Sequence, residues 1–343
     1  MAQRVSRSSI RDVAALARVS VGTASNVLNR PELVAAETRS RVESAITALN
    51  FVRNESARDL RGMNSRTIGL IVLDVSNPFF TDVARGVEEA ATAAGLAVFL
   101  CNSDQSAGRE SRYLDLLEER RVQGILITPV KGVTERLRNI RARGTSVVLL
   151  DRWSSTQNFC SVSVADVTGG ELAAAHLVEQ GHRRIAFVGG PLDITQVHDR
   201  LEGARRAVTD AGLPEGALVV LETPQLNVAC GRAAGADIAG ITASRRPTAA
   251  LCANDLLALG LLQEMTRRRV DVPRSLAIVG YDDIDFAAAS AVPLSSVRQP
   301  REQLGRAAAA LLIEEAVGDP RHAHRQLIFE PELVIRESSR HAA

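Results

Sequence analysis

The chain has 343 residues, too long for one small core, and this length predicts two or three domains. Hydrophobic residues make up 45% and charged residues 24%, an ordinary composition for a globular protein, and the net charge of +1 identifies no partner. The charge is unevenly spread, since residues 1–66 hold 11 Arg against 6 Asp and Glu, whereas the remainder holds 30 Lys and Arg against 34 Asp and Glu. A basic N-terminal segment followed by a mildly acidic remainder favours a polyanion-binding domain joined to a domain with a second function. A chance fluctuation of solvated surface charge also fits.

Cysteine spacing and apolar runs exclude several classes of protein. Cys101, Cys160, Cys230 and Cys252 lie far apart, so their spacing indicates neither disulfides nor a metal site. We expect small buried thiols in a reducing compartment. The N-terminus has no apolar run that fits a signal peptide, and no segment has the 18 or so uninterrupted apolar residues of a membrane span. The sequence therefore predicts a cytoplasmic protein with no membrane partner, no metal and no cofactor.

The first elements in chain order, over residues 9–31, are predicted to be two short helices joined by a tight turn. Ser9 is suited to cap the first helix, with Asp12 placed as in a capping box, and Ser20 is suited to cap the second. Short side chains on the exposed face of the second helix let it sit close in a DNA major groove, as in a helix-turn-helix. A small helical hairpin with no DNA role also fits. That exposed face carries Val21, Gly22, Ser25 and Asn26.

A third helix over residues 37–50 is predicted to close a small three-helix core. A polar segment follows at residues 55–61, with Leu60 as its single large apolar residue and Gly62 as its stop. A seven-residue helix is not stable alone in water, so this segment needs a partner to order it.

From residue 67 onward, apolar strands alternate with helices. Such strands are typical of parallel sheets covered on both faces, and two successive runs predict two doubly wound lobes with a cleft between them. Ligands bind beyond the carboxyl ends of strands in such folds. The predicted strands are 68–73, 97–102, 124–128, 146–150, 184–189, 218–221, 249–252 and 276–280, and the predicted helices are 80–94, 109–120, 134–143, 169–180, 199–211, 228–238 and 255–267.

Polar and aromatic side chains recur after these strands. Carboxylates, amides and an arginine suit a polyhydroxylated small molecule because each hydroxyl needs a donor and an acceptor, and aromatic faces suit the C–H side of a sugar ring. Loop tips are polar in any protein, so the repetition after strand upon strand carries more weight than any single residue.

Several short motifs occur in a specific order and spacing along nearly the whole chain. They are Ile10-Arg11-Asp12-Val13-Ala14 through Val27-Leu28-Asn29, Glu37-Thr38-Arg39, Asn77-Pro78-Phe79-Phe80, Gly181-His182-Arg183-Arg184-Ile185, Asn254-Asp255 and Gly280-Tyr281-Asp282-Asp283. On these motifs the chain resembles the lactose repressor (LacI) family of bacterial transcriptional regulators.

The resemblance implies an all-α helix-turn-helix head and an α/β core of two doubly wound parallel-sheet lobes, like those of periplasmic binding proteins. Residues 1–52 would form the DNA-binding domain, 53–65 the hinge helix and linker, and 66–343 the effector-binding and dimerisation core. The N-terminal lobe is expected over 66–165 and 295–325, and the C-terminal lobe over 166–294 and 326–343. The expected partners are double-stranded DNA with a palindromic operator, a small-molecule effector and a second copy of the chain. No apolar heptads follow residue 335, so we expect a dimer.

The resemblance also implies roles for residues of the head and hinge. Val21, Gly22 and Asn26 would face base edges, with Asn26 supplying the hydrogen bonds. Leu60 and its counterpart in the second subunit would wedge into the minor groove, with Ala57 one turn earlier. Ala35 and Ala36 stand where the third helix of the family usually has a serine cap. The implied DNA-binding residues are Ser20, Val21, Gly22, Thr23, Ser25, Asn26, Asn29, Ala57 and Leu60.

The pocket resembles that of ribose-binding periplasmic proteins. Phe79 and Phe80 are expected to sandwich a sugar ring, and Trp153 to lie at the rim or in the lobe core. Leu226 stands where those proteins carry an aromatic residue, which weakens the case for ribose and leaves a pentose or hexose open. The implied effector-binding residues are Asn77, Phe79, Phe80, Asp151, Arg152, Arg200, Leu226, Asn254, Asp282 and Gln299.

Two rival functions explain less of the chain. A solute-binding protein that only carries sugar would need an export signal and leaves residues 1–62 without a role. An enzyme could use the adjacent Asp282 and Asp283, but no nucleophile–base arrangement or metal-ligand spacing accompanies them. The sequence therefore predicts an effector-controlled transcriptional repressor without enzymatic activity, and it leaves open whether the effector induces or co-represses.

Overall fold

The computed structural model describes residues 8–51, 65–153, 158–318 and 322–340. The chain divides into two compact units, residues 1–65 and residues 66–343. Over the described ranges, we find no helix with both the length and the apolar character needed to cross a membrane.

Over residues 8–51, the first unit contains three helices, α1 (Ile10–Leu16), α2 (Val21–Asn29) and α3 (Ala36–Ala48), with a 3-10 turn at Pro31–Leu33. Ser9 forms the predicted capping box at α1, and the Ser20 side chain caps α2. Ala35 begins α3 with no side-chain cap. The Arg41 guanidinium donates to the carbonyl oxygen of Ala17 at 2.9 Å, which fixes the turn between α1 and α2 onto α3. The core of this unit consists of Val13, Ala14, Ala17, Ala24, Val27, Val42 and Ala45.

In the part of the second unit that the structure describes, the strands form two six-stranded sheets. One has the strand order β11-β5-β4-β3-β1-β2 and forms the N-lobe, and the other has the order β12-β10-β9-β8-β6-β7 and forms the C-lobe. All pairings are parallel except that of β12 with β10. The strands are β1 (Thr67–Val72), β2 (Ala97–Asn102), β3 (Gly124–Ile127), β4 (Ser146–Leu150), β5 (Cys160–Val164), β6 (Ile185–Val188), β7 (Leu218–Leu221), β8 (Ala249–Cys252), β9 (Ala277–Asp282), β10 (Ser295–Arg298), β11 (Gln326–Phe329) and β12 (Glu332–Val334).

Helices cover both faces of each sheet and close the apolar cores of the two lobes. They are α4 (Pro78–Ala93), α5 (Ala107–Glu119), α6 (Glu135–Ala142), α7 (Asp166–Glu179), α8 (Thr195–Asp210), α9 (Val228–Gly240), α10 (Asp255–Arg267), α11 (Asp285–Ala288) and α12 (Arg301–Ala316), with 3-10 turns at Glu215–Ala217 and Glu337–Ser339.

Pairs of glycines allow neighbouring helices to pack with their backbones in contact. A Cβ atom on Gly203 of α8 would lie 1.9 Å from the carbonyl oxygen of Val167, and one on Gly170 of α7 would lie 2.0 Å from that of Arg200. Gly86 of α4 and Gly305 of α12 allow these two helices to pack with the same kind of backbone contact. These close approaches fix the helices that carry the polar residues of the cleft.

The chain crosses between the lobes three times, and two predicted lobe boundaries are wrong. Strand β10 pairs with β9 of the C-lobe, not with the N-lobe, and β11 pairs with β5 of the N-lobe, not with the C-lobe. The crossings follow β5, β10 and β11. Apolar patterning identifies a strand but not the sheet that it joins, because both sheets offer equivalent buried positions.

Candidate functional site: the exposed face of α2 and the interlobe cleft

Helix α2 presents a small set of side chains to solvent. Val21, Gly22 and Asn26 are exposed, and no hydrogen bond of the Asn26 side chain occurs within residues 8–51. Thr23 and Ser25 are half-buried. The Oγ of Ser20 accepts the amide hydrogen of Thr23 at 3.0 Å. The surface that α2 offers most directly to another molecule therefore consists of the Val21 and Asn26 side chains and the backbone at Gly22.

The remaining predicted DNA-binding residues fall into two groups. Asn29 Nδ2 donates to the Oγ of Ser25 at 3.1 Å, so these two side chains are engaged within α2. Ala57 and Leu60 lie outside the described residues, and their role at the minor groove stays a prediction.

The cleft lies where the carboxyl ends of the two sheets face each other. The empty space among its lining residues, including the open mouth, measures about 480 Å³. Every predicted effector residue except Arg152 and Gln299 lines it. The lining residues are Leu73, Asp74, Asn77, Phe79, Phe80, Gln105, Asp151, Ile194, Gln196, Val197, Arg200, Leu226, Asn254 and Asp282.

Arg200 of α8 is the buried cation of the cleft. Its Nε donates to Asp166 Oδ1 at 2.7 Å, and its Nη1 donates to the carbonyl oxygen of Ala253 at 2.7 Å. The guanidinium carbon lies 3.7 Å from the ring centroid of Tyr281, a cation–π contact. Because these contacts hold the guanidinium from several sides, Arg200 is a fixed charge that needs no reorganisation to meet a ligand.

Asp282, at the end of β9, accepts hydrogen bonds on both carboxylate oxygens. Asn77 Nδ2 of the N-lobe donates to Oδ2 at 3.0 Å, and Gln299 Nε2 donates to Oδ1 at 2.7 Å. Arg200 Nη1 lies 3.8 Å from Oδ1. Burial raises the pKa of Asp282, and the nearby positive charge of Arg200 opposes that shift. Gln299 thus lies behind Asp282 and orients it without lining the pocket.

Asp151, which follows β4, contacts the opposite lobe through Gln196. Gln196 Nε2 donates to the backbone oxygen of Asp151, and lies 3.0 Å from its Oδ2. Burial raises the pKa of Asp151 to about 8, and repulsion from Asp166 adds to the shift. Asp151 is therefore protonated at neutral pH. Among the described residues, neither Asp151 Oδ1 nor Gln299 Oε1 has a hydrogen-bond partner.

The two phenylalanines do not sandwich a ring as predicted. Phe79 and Phe80 open α4, and their ring centroids lie 5.0 Å apart at an interplanar angle of 78°. Rings in this edge-to-face contact leave no space for a third ring between them. Adjacent residues on one helix turn cannot face each other across a ligand, so Phe79 and Phe80 instead form one wall of the cleft.

The two predicted asparagines also stabilise the fold. Asn77 Oδ1 accepts the amide hydrogen of Phe79 at 3.0 Å and caps α4. Asn254 Oδ1 caps α10 by accepting the amide hydrogen of Leu257 at 2.9 Å, and its Nδ2 donates to the backbone oxygen of Leu226 at 3.1 Å. Each asparagine therefore positions the first turn of the helix beside the cleft.

Arg152, Trp153 and Asp283 lie apart from the cleft lining. Arg152 is half-buried, and attraction to Asp199 and Asp151 partly offsets the lowering of its pKa by burial. Trp153 is 53% exposed, which excludes the lobe core as its position. Asp283 Oδ2 accepts from Arg298 Nε at 2.8 Å, so the adjacent Asp282 and Asp283 have different partners. They do not form a pair of carboxylates at one site.

Sequence reasoning missed Gln196 as a cleft residue. The predicted helix began at residue 199, whereas α8 begins at Thr195 after Ile194, which provides no side-chain cap. Without a capping residue, nothing in the sequence marks the start of this helix. Gln105 and Leu73, which follow β2 and β1, were missed because single residues after strands carry little signal.

Comparison with known proteins assigns both units. The family model "Bacterial regulatory proteins, lacI family" matches residues 9–54, and the model "Periplasmic binding protein-like domain" matches residues 174–339. The chain is 34% identical over 333 residues to the HTH-type transcriptional repressor PurR of Aliivibrio fischeri (strain MJ11), covering 96% of this chain and 97% of that protein.

Solved structures show the same architecture. The lac repressor dimer bound to operator and the anti-inducer ONPF matches with a TM-score of 0.84 and 25% identity, over 97% of this chain and 99% of that one. A LacI family transcriptional regulator from Enterococcus faecium with bound ribose matches with a TM-score of 0.73 and 29% identity, over 80% of this chain and 98% of that one. The matches cover an operator-bound repressor and a sugar-bound core.

Proposed function

Because the chain belongs to the lacI family of bacterial regulatory proteins, we propose that it is a homodimeric repressor whose affinity for a palindromic operator is set by a monosaccharide in the interlobe cleft. It is a DNA-binding repressor with a ligand-binding core, and its homologues are repressors and not enzymes. A repressor acts on DNA, so we place it in the cytoplasm.

The observation that carries the monosaccharide proposal is a buried oxygen of the cleft lining, Asp151 Oδ1, which has no hydrogen-bond partner among the described residues. Burying such an atom without a hydrogen bond costs about 1–3 kcal/mol, and a ligand that bonds it recovers this free energy. A hydroxyl both donates and accepts, so it can pair with Asp151 in either protonation state. A polyol supplies several hydroxyls at once.

The charges in the cleft favour a neutral ligand over a phosphorylated one. The buried carboxyl groups of Asp166 and Asp282 lie beside the buried guanidinium of Arg200 and offset its positive charge. A phosphate placed here would meet these acids at close range, and Arg200 already pairs with Asp166. A pentose or hexose without phosphate is therefore the proposed effector.

A purine-related ligand is the alternative, which the homologues named PurR suggest. The apolar wall of Phe79 and Phe80, with Leu226 also lining the cleft, would suit the face of a flat base. A nitrogen donor of a purine would also satisfy the unpartnered Asp151 Oδ1. The two ligand classes differ in that a sugar uses hydroxyls on every side, whereas a purine needs one wide apolar face.

Exposed apolar residues on the N-lobe support a dimer. The edge strand β2 leaves Leu100 47% exposed beside a groove lined by α4 residues such as Ala84 and Arg85, and it leaves Phe99 48% exposed on the opposite face of the sheet. A second copy that covers this edge of the sheet would remove both apolar side chains from water.

Control of DNA binding would follow from the contacts that already join the lobes. Hydrogen bonds bridge the cleft from Asn77 to Asp282 and from Gln196 to Asp151. An effector that bonds these groups in one lobe arrangement better than in another shifts the balance between arrangements. By linkage, operator DNA changes effector affinity by the same factor as the effector changes DNA affinity.

The test has two stages. A thermal-shift screen of the purified dimer against monosaccharides and purine bases should show stabilisation by a sugar, since a ligand of the native state raises the unfolding midpoint. The stabilising sugar should then change the affinity for the upstream region of the protein's own gene in a gel-shift titration. Stabilisation by a purine base but by no sugar would replace the monosaccharide with the alternative. No specific DNA complex, with or without ligands, would overturn operator control.

A further inference from the structure

A cluster of four metal-ligating side chains lies on the N-lobe, away from the cleft. Its members are Cys160, Glu315, His322 and His324, and one ligand atom from each lies within 4.8 Å of the others. Cys160 begins β5, Glu315 lies in the last turn of α12, and the two histidines precede β11. Because β5 and β11 run parallel, the cluster lies at their amino ends, the edge of the sheet opposite to the cleft.

We propose that Cys160, Glu315, His322 and His324 form a binding site for a zinc ion. Thiolate, imidazole and carboxylate are the ligands that Zn²⁺ takes in proteins, and four of them make a closed tetrahedral site. With Cys160 bound as the thiolate, its proton released to solvent, the two anionic ligands balance the charge of the ion. Neutral imidazoles complete the set.

The spacing of the ligand atoms fits a tetrahedral ion. Cys160 Sγ lies 3.3 Å from His322 Nε2 and 3.6 Å from His324 Nδ1. Glu315 Oε2 lies 3.9 Å from His322 Nε2 and 3.8 Å from His324 Nδ1. Bonds of about 2.0–2.3 Å at tetrahedral angles place ligand atoms about 3.3–3.8 Å apart, so small side-chain shifts complete the geometry.

Burial and an unpartnered oxygen distinguish this cluster from surface acids. Cys160 is fully buried, and the side chains of Glu315 and His322 are 10% and 9% exposed. Within the described part of the chain, Glu315 Oε2 accepts no hydrogen bond. A buried carboxylate oxygen aimed at two histidines and a thiol is a costly arrangement for a hydrogen-bond network alone, and a bound cation would satisfy it.

Neighbouring charges are placed to support the ligands. His322 Nδ1, on the far side of the ring from the cluster, lies 3.5 Å from Glu314 Oε1. A carboxylate behind a metal-bound histidine fixes its ring and tautomer. Arg141 contacts Nε2 of His324, and its own Nε lies 3.7 Å from Glu315 Oε1. A metal on His324 Nδ1 puts the ring proton on Nε2, so Arg141 would shift fully to Glu315.

Sequence spacing does not reveal this site, because 162 residues separate Cys160 from His322. The metal would fasten the end of α12 to the starts of β5 and β11.

Cobalt substitution of the full chain tests the proposal. Untagged protein is treated with chelator and titrated with Co²⁺, and we expect one ion per chain, a thiolate-to-cobalt charge-transfer band and the visible bands of tetrahedral cobalt. Added Zn²⁺ should displace these bands at one equivalent. Cys160→Ser should lose the charge-transfer band, and His322→Gln should lower zinc affinity by at least about 100-fold. Glu314→Gln, which leaves all four ligands in place, should lower it about 10–100-fold.

The matched controls are Cys230→Ser and His198→Gln, which change the same residue types outside the cluster and should bind cobalt as the unaltered chain does. His322 lies outside the helices and strands, so its variant keeps the proposal testable even if Cys160→Ser fails to fold. Absence of a charge-transfer band in the unaltered protein, or equal zinc affinity in the His322→Gln and His198→Gln variants, would overturn it.

Discussion

The side-chain amide of Asn77 donates to the carboxylate of Asp282 at 3.0 Å, although 205 residues separate them in the chain. One residue caps the first helix of the N-lobe cleft and the other ends the central strand of the C-lobe. The bond is buried and joins the two lobes directly across the site where an effector is proposed to bind.

Asn77→Ser tests this interlobe bond. Serine caps a helix about as well as asparagine, so the change keeps α4 and removes only the donor to Asp282. Leaving a buried carboxylate oxygen without that donor should lower the free energy of unfolding by about 1–3 kcal/mol in denaturant titrations. Asn227→Ser is the control, because Asn227 caps α9 without contacting Asp282. Equal losses in both variants would mean that capping, not the interlobe bond, is affected.

The raised pKa of Asp151 predicts that the stability of the protein declines as the pH rises. Its pKa is raised from 3.8 to about 8 in the native state, chiefly by burial. Between these values the native protein holds a proton that the unfolded chain has released, so the free energy of unfolding falls as pH rises from about 4 to 8. Asp151→Asn mimics the protonated side chain and should flatten this slope in unfolding titrations at several pH values. Residue 151 has a φ of 51°, which asparagine tolerates. An unchanged slope would assign the pH dependence to other groups.

Asn26→Ala should weaken operator binding by about 1–3 kcal/mol, because Asn26 is an exposed amide of α2, not engaged by another side chain as Asn29 is, and can bond a base edge. Binding to unrelated DNA of the same length should change little. Fluorescence anisotropy with both DNAs measures the two affinities. Thr47→Ala on α3 is the control and should leave both unchanged, since its hydroxyl bonds the backbone of its own helix. Equal losses on both DNAs would place Asn26 at the phosphates.

Leu60→Ala should reduce specific operator binding much more than binding to unrelated DNA. The expectation rests on the resemblance of this hinge segment to that of the family, in which paired apolar residues wedge into the minor groove. Competition gel shifts with operator and unrelated DNA measure the ratio. A uniform loss would contradict the wedge role.

Gly203→Ala should lower the free energy of unfolding by about 1–3 kcal/mol or more, because a Cβ there would lie 1.9 Å from the backbone oxygen of Val167. A carbonyl oxygen of the neighbouring helix cannot move aside without separating α7 and α8. The control is Gly240→Ala at the end of α9, where the new Cβ meets nothing within 4 Å. Thermal unfolding of both variants measures this difference. Equal unfolding midpoints would contradict the close packing of α7 against α8.

The sequence by itself determined the class of the protein and much of its cleft. Helix caps such as Ser9 and Ser20, and apolar strands alternating with helices, depend on contacts a few residues apart, so their signals are local. The carboxyl ends of parallel strands meet at one edge of a sheet, which is why residues following separate strands, such as Asn77, Asp151 and Asp282, could be placed in one site.

Only the tertiary structure decided which groups meet. Strand β5 escaped prediction because its polar Ser161 and Ser163 interrupt the apolar run, although both are buried. Without β5 and β11 as neighbours, nothing joins Cys160 to His322 and His324. The same holds for Gln196 and Asp151, which come from opposite lobes. Such contacts depend on which sheet each strand joins, and this is set by the packing of the whole core, not by any short stretch of sequence.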